Sequence, residues 1–170
     1  MTVADCDRVA EIRVRGWQTA YPGLVPRSYL DAMSVTEDAE RRRRHFASGD
    51  SRIVHLVAEQ GSEVIGWACH GPYRDGEVRT ADAELYAIYA HPEHVGTGVG
   101  RALLRESTTR CTADGYPRML LWVLKKNTGA RRFYERAGFR PDGAEEPFEA
   151  NGYAVPEVRY ARALSGGGAG

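Results

Sequence analysis

The chain is poor in the features that mark several protein classes. It has only three cysteines, Cys6, Cys69 and Cys111. They form no CxxC pair and stand in no cysteine–histidine cluster, so neither a disulfide framework nor a zinc-binding module is expected, and they read as buried free thiols. Of the five histidines only His91 and His94 lie close together, without a third ligand at metal-site spacing, so no metal is expected. Long apolar runs are missing, and the opening MTVADCDRVAEIRVRGW puts acids and arginines where a signal peptide needs an apolar core. No membrane association is expected, and a cytoplasmic location is. There is no charge excess either: 23 Lys+Arg balance 23 Asp+Glu, which argues against a binder of nucleic-acid backbone. Lysine is nearly absent, since twenty-one of those basic residues are arginine, a bias from which no function follows.

What is present suits one globular domain. The chain has 170 residues, 42% of them hydrophobic, and 19 glycines, enough apolar mass for a single core. There is no internal repeat and no dividing linker, so one domain is expected over residues 1–164, followed by a disordered glycine-rich tail, 165–170. Residues 5–20 place Val9, Ile12, Trp17 and Ala20 at helical spacing, stopped by Tyr21–Pro22–Gly23. A short helix is expected over 27–33, and another from a cap at Thr36, with acids in its first turn and Arg41–Arg44 forming a solvated end. The period then changes to two: residues 53–59 and 63–71 read as a hairpin about 60–62. A polar loop over 73–82 precedes a strand at 83–90, a helix at 98–114, an apolar strand at 118–124 and a helix at 127–137 stopped by Gly138. Two last strands, near 139–140 and 154–161, are expected to flank an acidic loop holding Glu145, Glu146 and Glu149.

The informative segment is ELYAIYAHPEHVGTGVGRALL, Glu84 to Leu104. A strand runs into a turn with Gly96, Gly98 and Gly100 at alternate positions, and a helix begins there. Glycines let backbone approach a ligand, and the free N–H groups of a first helical turn attract phosphate, so a diphosphate ligand is implied. The dinucleotide fingerprint needs glycine where this chain has Arg101, and a P-loop needs a Gly-Lys-Ser/Thr ending that is absent. A tight strand-to-helix turn without a ligand stays open on these glycines alone.

The surroundings add a second signal. HPEHVGTGVGRALL resembles the acetyl-CoA signature of the GNAT superfamily of N-acetyltransferases, and LLWVLKKNTGARRFYERAGF resembles that family's next conserved block. The resemblance runs over residues 5–162, including WQTAYPGLVP. It implies an α/β single-domain GNAT-like fold, with a mixed, mostly antiparallel sheet of about six strands flanked by helices. Because only Met1–Val3 precede Ala4, the family's first edge strand is expected to be short or missing. Val95 departs from the pattern where the family usually carries Gln or Arg, which removes a side-chain contact and leaves the backbone cradle.

By that resemblance, the backbone of Ile88, Tyr89 and Ala90 pairs with the pantetheine arm of acetyl-CoA and polarises the thioester carbonyl. Val95, Gly96, Thr97, Gly98, Val99, Gly100 and Arg101 hold the pyrophosphate, and Asn127, Ala130 and Tyr134 contact the cofactor from the second helix. Tyr134 is the implied acid for the departing thiolate, since a phenol is protonated at neutral pH; it also shares the apolar stripe of Phe133, and a core tyrosine is the less favoured rival reading. Glu84 is the implied base, acting through water, and a strand-start glutamate facing solvent remains its rival reading. Trp17 and Tyr21 fall where the family walls its acceptor site, although aromatic residues there more often serve simply as core. Members that acetylate protein N-termini often carry a Glu where this chain has Trp122. No cysteine falls on a matched catalytic position, which favours direct attack in a ternary complex.

The expected function is therefore acetyl transfer from acetyl-CoA to a primary amine, with a small molecule as acceptor, no metal and no nucleic-acid partner. A protein N-terminal or lysine acetyltransferase and a non-catalytic acyl-CoA sensor are the alternatives, and a homodimer is a family expectation. Residues 98–136 carry nine positive and three negative charges, while 75–94 carry one and five. Neutrality thus conceals a basic half suited to phosphates and acidic segments expected to attract a cationic amine.

Overall fold

Local signals in the sequence set most element boundaries, and a computed structural model describes residues 1–49, 52–75 and 78–164. After a single 3-10 turn, Val3–Asp5, helix α1 (Cys6–Ala20) buries Cys6, Val9, Ile12, Val14 and Trp17 along one stripe. No strand precedes α1 among the described residues, so the family's first edge strand is missing there. Helix α2 (Arg27–Asp31) follows Pro26, and α3 (Val35–Ser48) follows Ser34. Ser34, not Thr36, is the cap of α3: it has the extended backbone a cap needs, and its Oγ accepts the Glu37 N–H at 3.3 Å. Gly49 closes the helix in the left-handed conformation, with φ of 59°.

Six strands form one sheet in the order β1-β2-β3-β4-β6-β5. They are β1 (Val54–Gln60), β2 (Glu63–Asp75), β3 (Val78–Ala90), β4 (Arg118–Leu124), β5 (Arg140–Ala150) and β6 (Tyr153–Ala163). Every neighbouring pair is antiparallel except β3–β4, the mixed sheet expected. Helix α4 (Val99–Ala113) crosses between β3 and β4, and α5 (Thr128–Arg136) follows β4. Helix α4 and residues Tyr134 and Phe139 pack on one face with Leu85, Met119, Leu121 and Tyr160, while α1 packs on the other with Val64, Trp67 and Cys69. All three cysteines are buried and free.

Two expectations need correction. The polar stretch over 73–82 is not a loop: β2 runs on to Asp75 and β3 starts at Val78, with Arg74 opposite Arg79. Backbone ladders need no apolar side chains, and the far end of this hairpin has few. Likewise Glu145, Glu146 and Glu149 lie within β5, not in a loop, because β5 is the sheet edge and exposes most of its side chains. The β5–β6 connection is Asn151–Gly152, with φ of 50° and 82°, a dipeptide suited to a tight hairpin. The expected tail disorder, 165–170, lies outside the described residues.

One irregularity shapes the site. In the β2–β3 ladder Cys69 pairs with Ala87 and His70 with Leu85, so Tyr86 is an extra residue on β3. Such a bulge bends its strand. It falls just beyond the last contact between β3 and β4, which pair only at Ala83↔Met119 and Glu84↔Leu120.

Candidate active site

Past Glu84 the two parallel strands part. β3 stays on β2 as far as Ala90 opposite Gly66, and β4 stays on β6 as far as Leu124 opposite Glu157. The edge of Ile88, Tyr89 and Ala90 that faces β4 therefore has no ladder partner, and unpaired strand groups suit an extended ligand carrying amides. Helix α4 begins beside this opening because Gly66 lets it approach: a Cβ there would meet Val99 Cγ1 at 2.5 Å.

A 3-10 turn, Pro92–His94, leads from β3 into the glycine loop. Thr97 Oγ1 donates to the His94 carbonyl at 2.7 Å, and Gly96 and Gly98 take φ of 85° and 98°, which L side chains resist. Gly98 occupies the cap position of α4 and offers no side-chain acceptor, while its carbonyl takes the Ala102 N–H at 3.0 Å. The amides of Val99, Gly100 and Arg101 thus point out of the helix start without intrahelical partners. In front of them runs a cleft of about 780 Å³ between α4 and α5, lined by Arg101, Arg105, Arg136 and Arg162 and by no carboxylate. Gly100 permits the helices to close on each other, its absent Cβ lying 3.5 Å from the Phe133 ring. Free amides, a helix start and four guanidinium groups fit a diphosphate. Val95 is exposed and is not among the residues lining the cleft.

Asn127 is the cap of α5: its Oδ1 accepts the Ala130 N–H at 3.0 Å, which leaves the side-chain NH₂ as its free donor. Tyr134 is buried between Phe133 and Phe139, with ring centroids 5.1 and 6.1 Å away. Burial, with Tyr89 nearby, raises its pKa above the ordinary phenol value, so it holds its proton. Among the described residues its hydroxyl makes no hydrogen bond.

Trp17 and Tyr21 do meet the β3 edge. Trp17 Nε1 donates to the Tyr89 hydroxyl at 2.8 Å, and Tyr21 packs edge-on against Trp17 at 4.7 Å. Burial raises the pKa of Tyr21 and of Tyr89. Glu84 is half-buried at the start of the splay, four residues before Ile88, or about 13 Å along the strand, too far for direct contact with that edge. Glu157, which the sequence reading missed, stands opposite Leu124 where β4 ends. Burial first, and Glu146 across the β5–β6 pair second, push its carboxyl up to about 7, and its charge is felt by Tyr21 and Tyr89.

On the α1 face a second cleft, about 890 Å³, lies between α1–α3 and the sheet. Here the solvated run Arg41–Arg44 needs correction. The Arg42 side chain is only 11% exposed, stacks 4.1 Å over the Trp67 ring, and gives its Nε to Asp38 at 2.6 Å. Asp38, 3% exposed, also accepts from Arg13 at 3.0 Å and from Arg41. Burial and the Arg42 charge push the neighbouring His55 down to about 4. The acidic segments do not supply a negative lining: Glu145 is paired with Lys125, Asp142 with Arg159 and Asp82 with Arg118. Among the described residues no helix is long and apolar enough to cross a membrane, and no cluster of three or more His, Cys, Asp or Glu is placed to hold a metal.

Known proteins are similar to this chain in sequence or fold. The chain is 35% identical over 159 residues to a probable N-acetyltransferase of Mycobacterium tuberculosis, covering 92% of this chain and 87% of that protein. It is 30% identical over 139 residues to an L-amino acid N-acyltransferase of Escherichia coli, covering 80% and 74%. Its fold matches a PaiA N-acetyltransferase of Thermoplasma acidophilum, solved in complex with coenzyme A, with a TM-score of 0.77 at 20% identity, covering 96% and 95%. Residues 13–139, which hold the splayed strands, the glycine turn and the capped helix after β4, match the model of the acetyltransferase (GNAT) family, and the chain belongs to that family.

Proposed function

We propose that the protein transfers an acetyl group from acetyl-CoA to the primary amine of a small molecule by direct attack in a ternary complex. The observation that carries this reading is the opening between β3 and β4 beside the unpartnered first turn of α4. The backbone of Ile88–Ala90 would align the pantetheine arm and stabilise charge on the thioester oxygen. The loop from Gly96 to Arg101 and the arginines around it would hold the diphosphate, with Asn127 adding a donor from α5. Tyr134, protonated and unengaged, would give its proton to the CoA sulfur as it leaves. Glu84 would take the amine's proton through water. Glu157 is a second candidate for that base, because its carboxyl titrates near neutrality and faces Tyr21 and Tyr89.

Support for direct attack comes from the thiols: burial raises Cys69 and Cys111 to about 12 and raises Cys6 as well, which leaves no nucleophilic thiolate among them. A cleft of about 890 Å³ on the acceptor side suits a small molecule. The test is thiol release from acetyl-CoA with a panel of amines and of N-terminal and lysine peptides. Turnover with small amines supports the reading; turnover with peptides alone makes the protein a protein acetyltransferase; CoA binding without turnover on any acceptor makes it a sensor. Between the two carboxylates, the Gln variant that abolishes the acidic limb of the pH–rate profile identifies the base.

A further inference from the structure

We infer that the cleft on the α1 face is a carboxylate-binding acceptor site, in which Arg13 and Arg42 hold the acid group of an apolar amino-carboxylate; this rests on the acetyl-transfer reading above. Three guanidinium groups converge on one carboxylate, Asp38. Arg41 is 63% exposed and its charge is screened, whereas the side chains of Arg13 and Arg42 are only 22% and 11% exposed. Asp38 therefore neutralises one of two poorly solvated cations. Arg42 spends Nε on Asp38 and Arg13 one Nη, and among the described residues their other N–H groups have no protein acceptor. Partly buried guanidinium donors without acceptors are costly, and a forked pair of them matches a carboxylate.

The position suits a substrate whose amine reaches the splay. Arg42 lies 4.1 Å over Trp67, which stacks on Tyr89 with centroids 6.2 Å apart. Arg13 lies 5.2 Å from the Trp17 ring, whose indole N–H is bonded to the Tyr89 hydroxyl. Both cations thus sit one aromatic ring away from Tyr89, on the strand edge assigned to the thioester. Tyr29, Met33, Phe46 and Tyr86 also line the cleft and offer an apolar wall to the rest of the acceptor. Among the described residues its only acids are Glu37, which is exposed, and Asp38, which is already engaged, so a polyamine finds no buried counter-charge there.

The experiment compares L-phenylalanine and L-methionine with their carboxamides, and with spermidine, as acetyl acceptors. The amides have the less basic amine, so more of it is free at neutral pH and the chemical bias runs against the expected result. The acids should exceed the amides tenfold or more in kcat/KM, and spermidine should be the poorest. In Arg42→Gln that ratio should fall to within about threefold of one, with Arg42→Lys between the two, as expected for loss of a charge-assisted pair. Asp38 keeps Arg13 and Arg41 in these variants, and thermal melts verify folding. In parallel, quenching of tryptophan fluorescence by N-acetyl-L-phenylalanine and by its carboxamide reads the anion site without turnover. Acid-selective quenching with no transfer to any amine preserves the site and removes the transferase reading. Equal treatment of acid and amide in both assays, or a ratio that survives both Arg42→Gln and Arg13→Gln, overturns the carboxylate site.

Discussion

Gly66→Ala tests whether the glycine on β2 sets the position of α4 against the β3 edge. The added methyl would stand 2.5 Å from Val99 Cγ1, 3.1 Å from Leu103 Cδ1 and 3.3 Å from the Tyr89 carbonyl oxygen. Ordinary contact begins near 3.4 Å, so Val99 must retreat by about 0.9 Å, an overpacking of the kind that costs roughly 1–3 kcal/mol. Replacing a strand glycine with alanine returns roughly 0.5–1 kcal/mol, because Gly66 has no positive φ to protect. The net expectation is a loss of about 1–2 kcal/mol, seen by calorimetry as a fall of roughly 2–4 °C per kcal/mol. Val99 is the first residue of α4, so the same shift moves the amides proposed to receive the diphosphate, and acetyl-CoA should bind severalfold more weakly in a titration. Val99→Ala removes the atom in conflict. In the double variant the two changes should be coupled by about 1 kcal/mol or more in the favourable direction, well beyond ordinary additivity error. A Gly66→Ala protein as stable as its parent, or a double variant whose costs simply add, would refute the close-approach explanation.

Other expectations follow from the same geometry. Tyr134→Phe should lower kcat by about 10²-fold while leaving the melting temperature nearly unchanged, because the hydroxyl has no protein partner to lose; equal kcat in the two proteins would remove Tyr134 from the chemistry. Gly98→Ala should cost about 1–2 kcal/mol through its φ of 98° and raise KM for acetyl-CoA, whereas an unaltered melt would show that the turn relaxes freely. Glu157 holds its proton more tightly folded than unfolded, so its contribution favours the folded state at low pH and is lost between the ordinary carboxylate value of 4.5 and about 7. Melts of Glu157→Gln against the parent should accordingly show a relative stabilisation that grows from pH 5 to pH 7.5, and a pH-independent difference would contradict the burial of that carboxyl.

Elements whose function demands a local signal were the legible ones. Strand β4, covered on both faces, is an unbroken apolar run and was bounded to the residue. The helix after it announces itself through the Asn127 cap and Gly138, at φ of 87°, and the turn at Gly96–Gly100 through alternate glycines. Only the start of strand β5, near residues 139–140, is legible, because an edge strand needs no apolar face, although the Asn151–Gly152 hairpin dipeptide marks its end. Glu157 and Arg42 were missed for a different reason: their character comes from what packs around them. In a run of four arginines the helical spacing Asp38–Arg42 is the only sequence trace of which one is drawn inside.

The two clefts lie on opposite faces of the sheet, one against α1 and α3 and the other between α4 and α5, and the Tyr86 bulge sits just past the point where β3 leaves β4. Both clefts carry arginines, one Arg101, Arg105, Arg136 and Arg162 and the other Arg13 and Arg42, whereas the segment charges predict an acidic side for the acceptor. If the two clefts take the donor and the acceptor as proposed, charge alone would not sort the two ligands, and shape and the free helix amides would have to. Raising sodium chloride from 0.05 to about 0.5 M shortens the screening length several-fold, so KM for acetyl-CoA should rise whichever acceptor is used. KM for an acceptor should rise as well when it carries a carboxylate and stay level when that group is an amide. If neither constant responds to salt, the arginines of both clefts are structural and do not meet charge on a ligand.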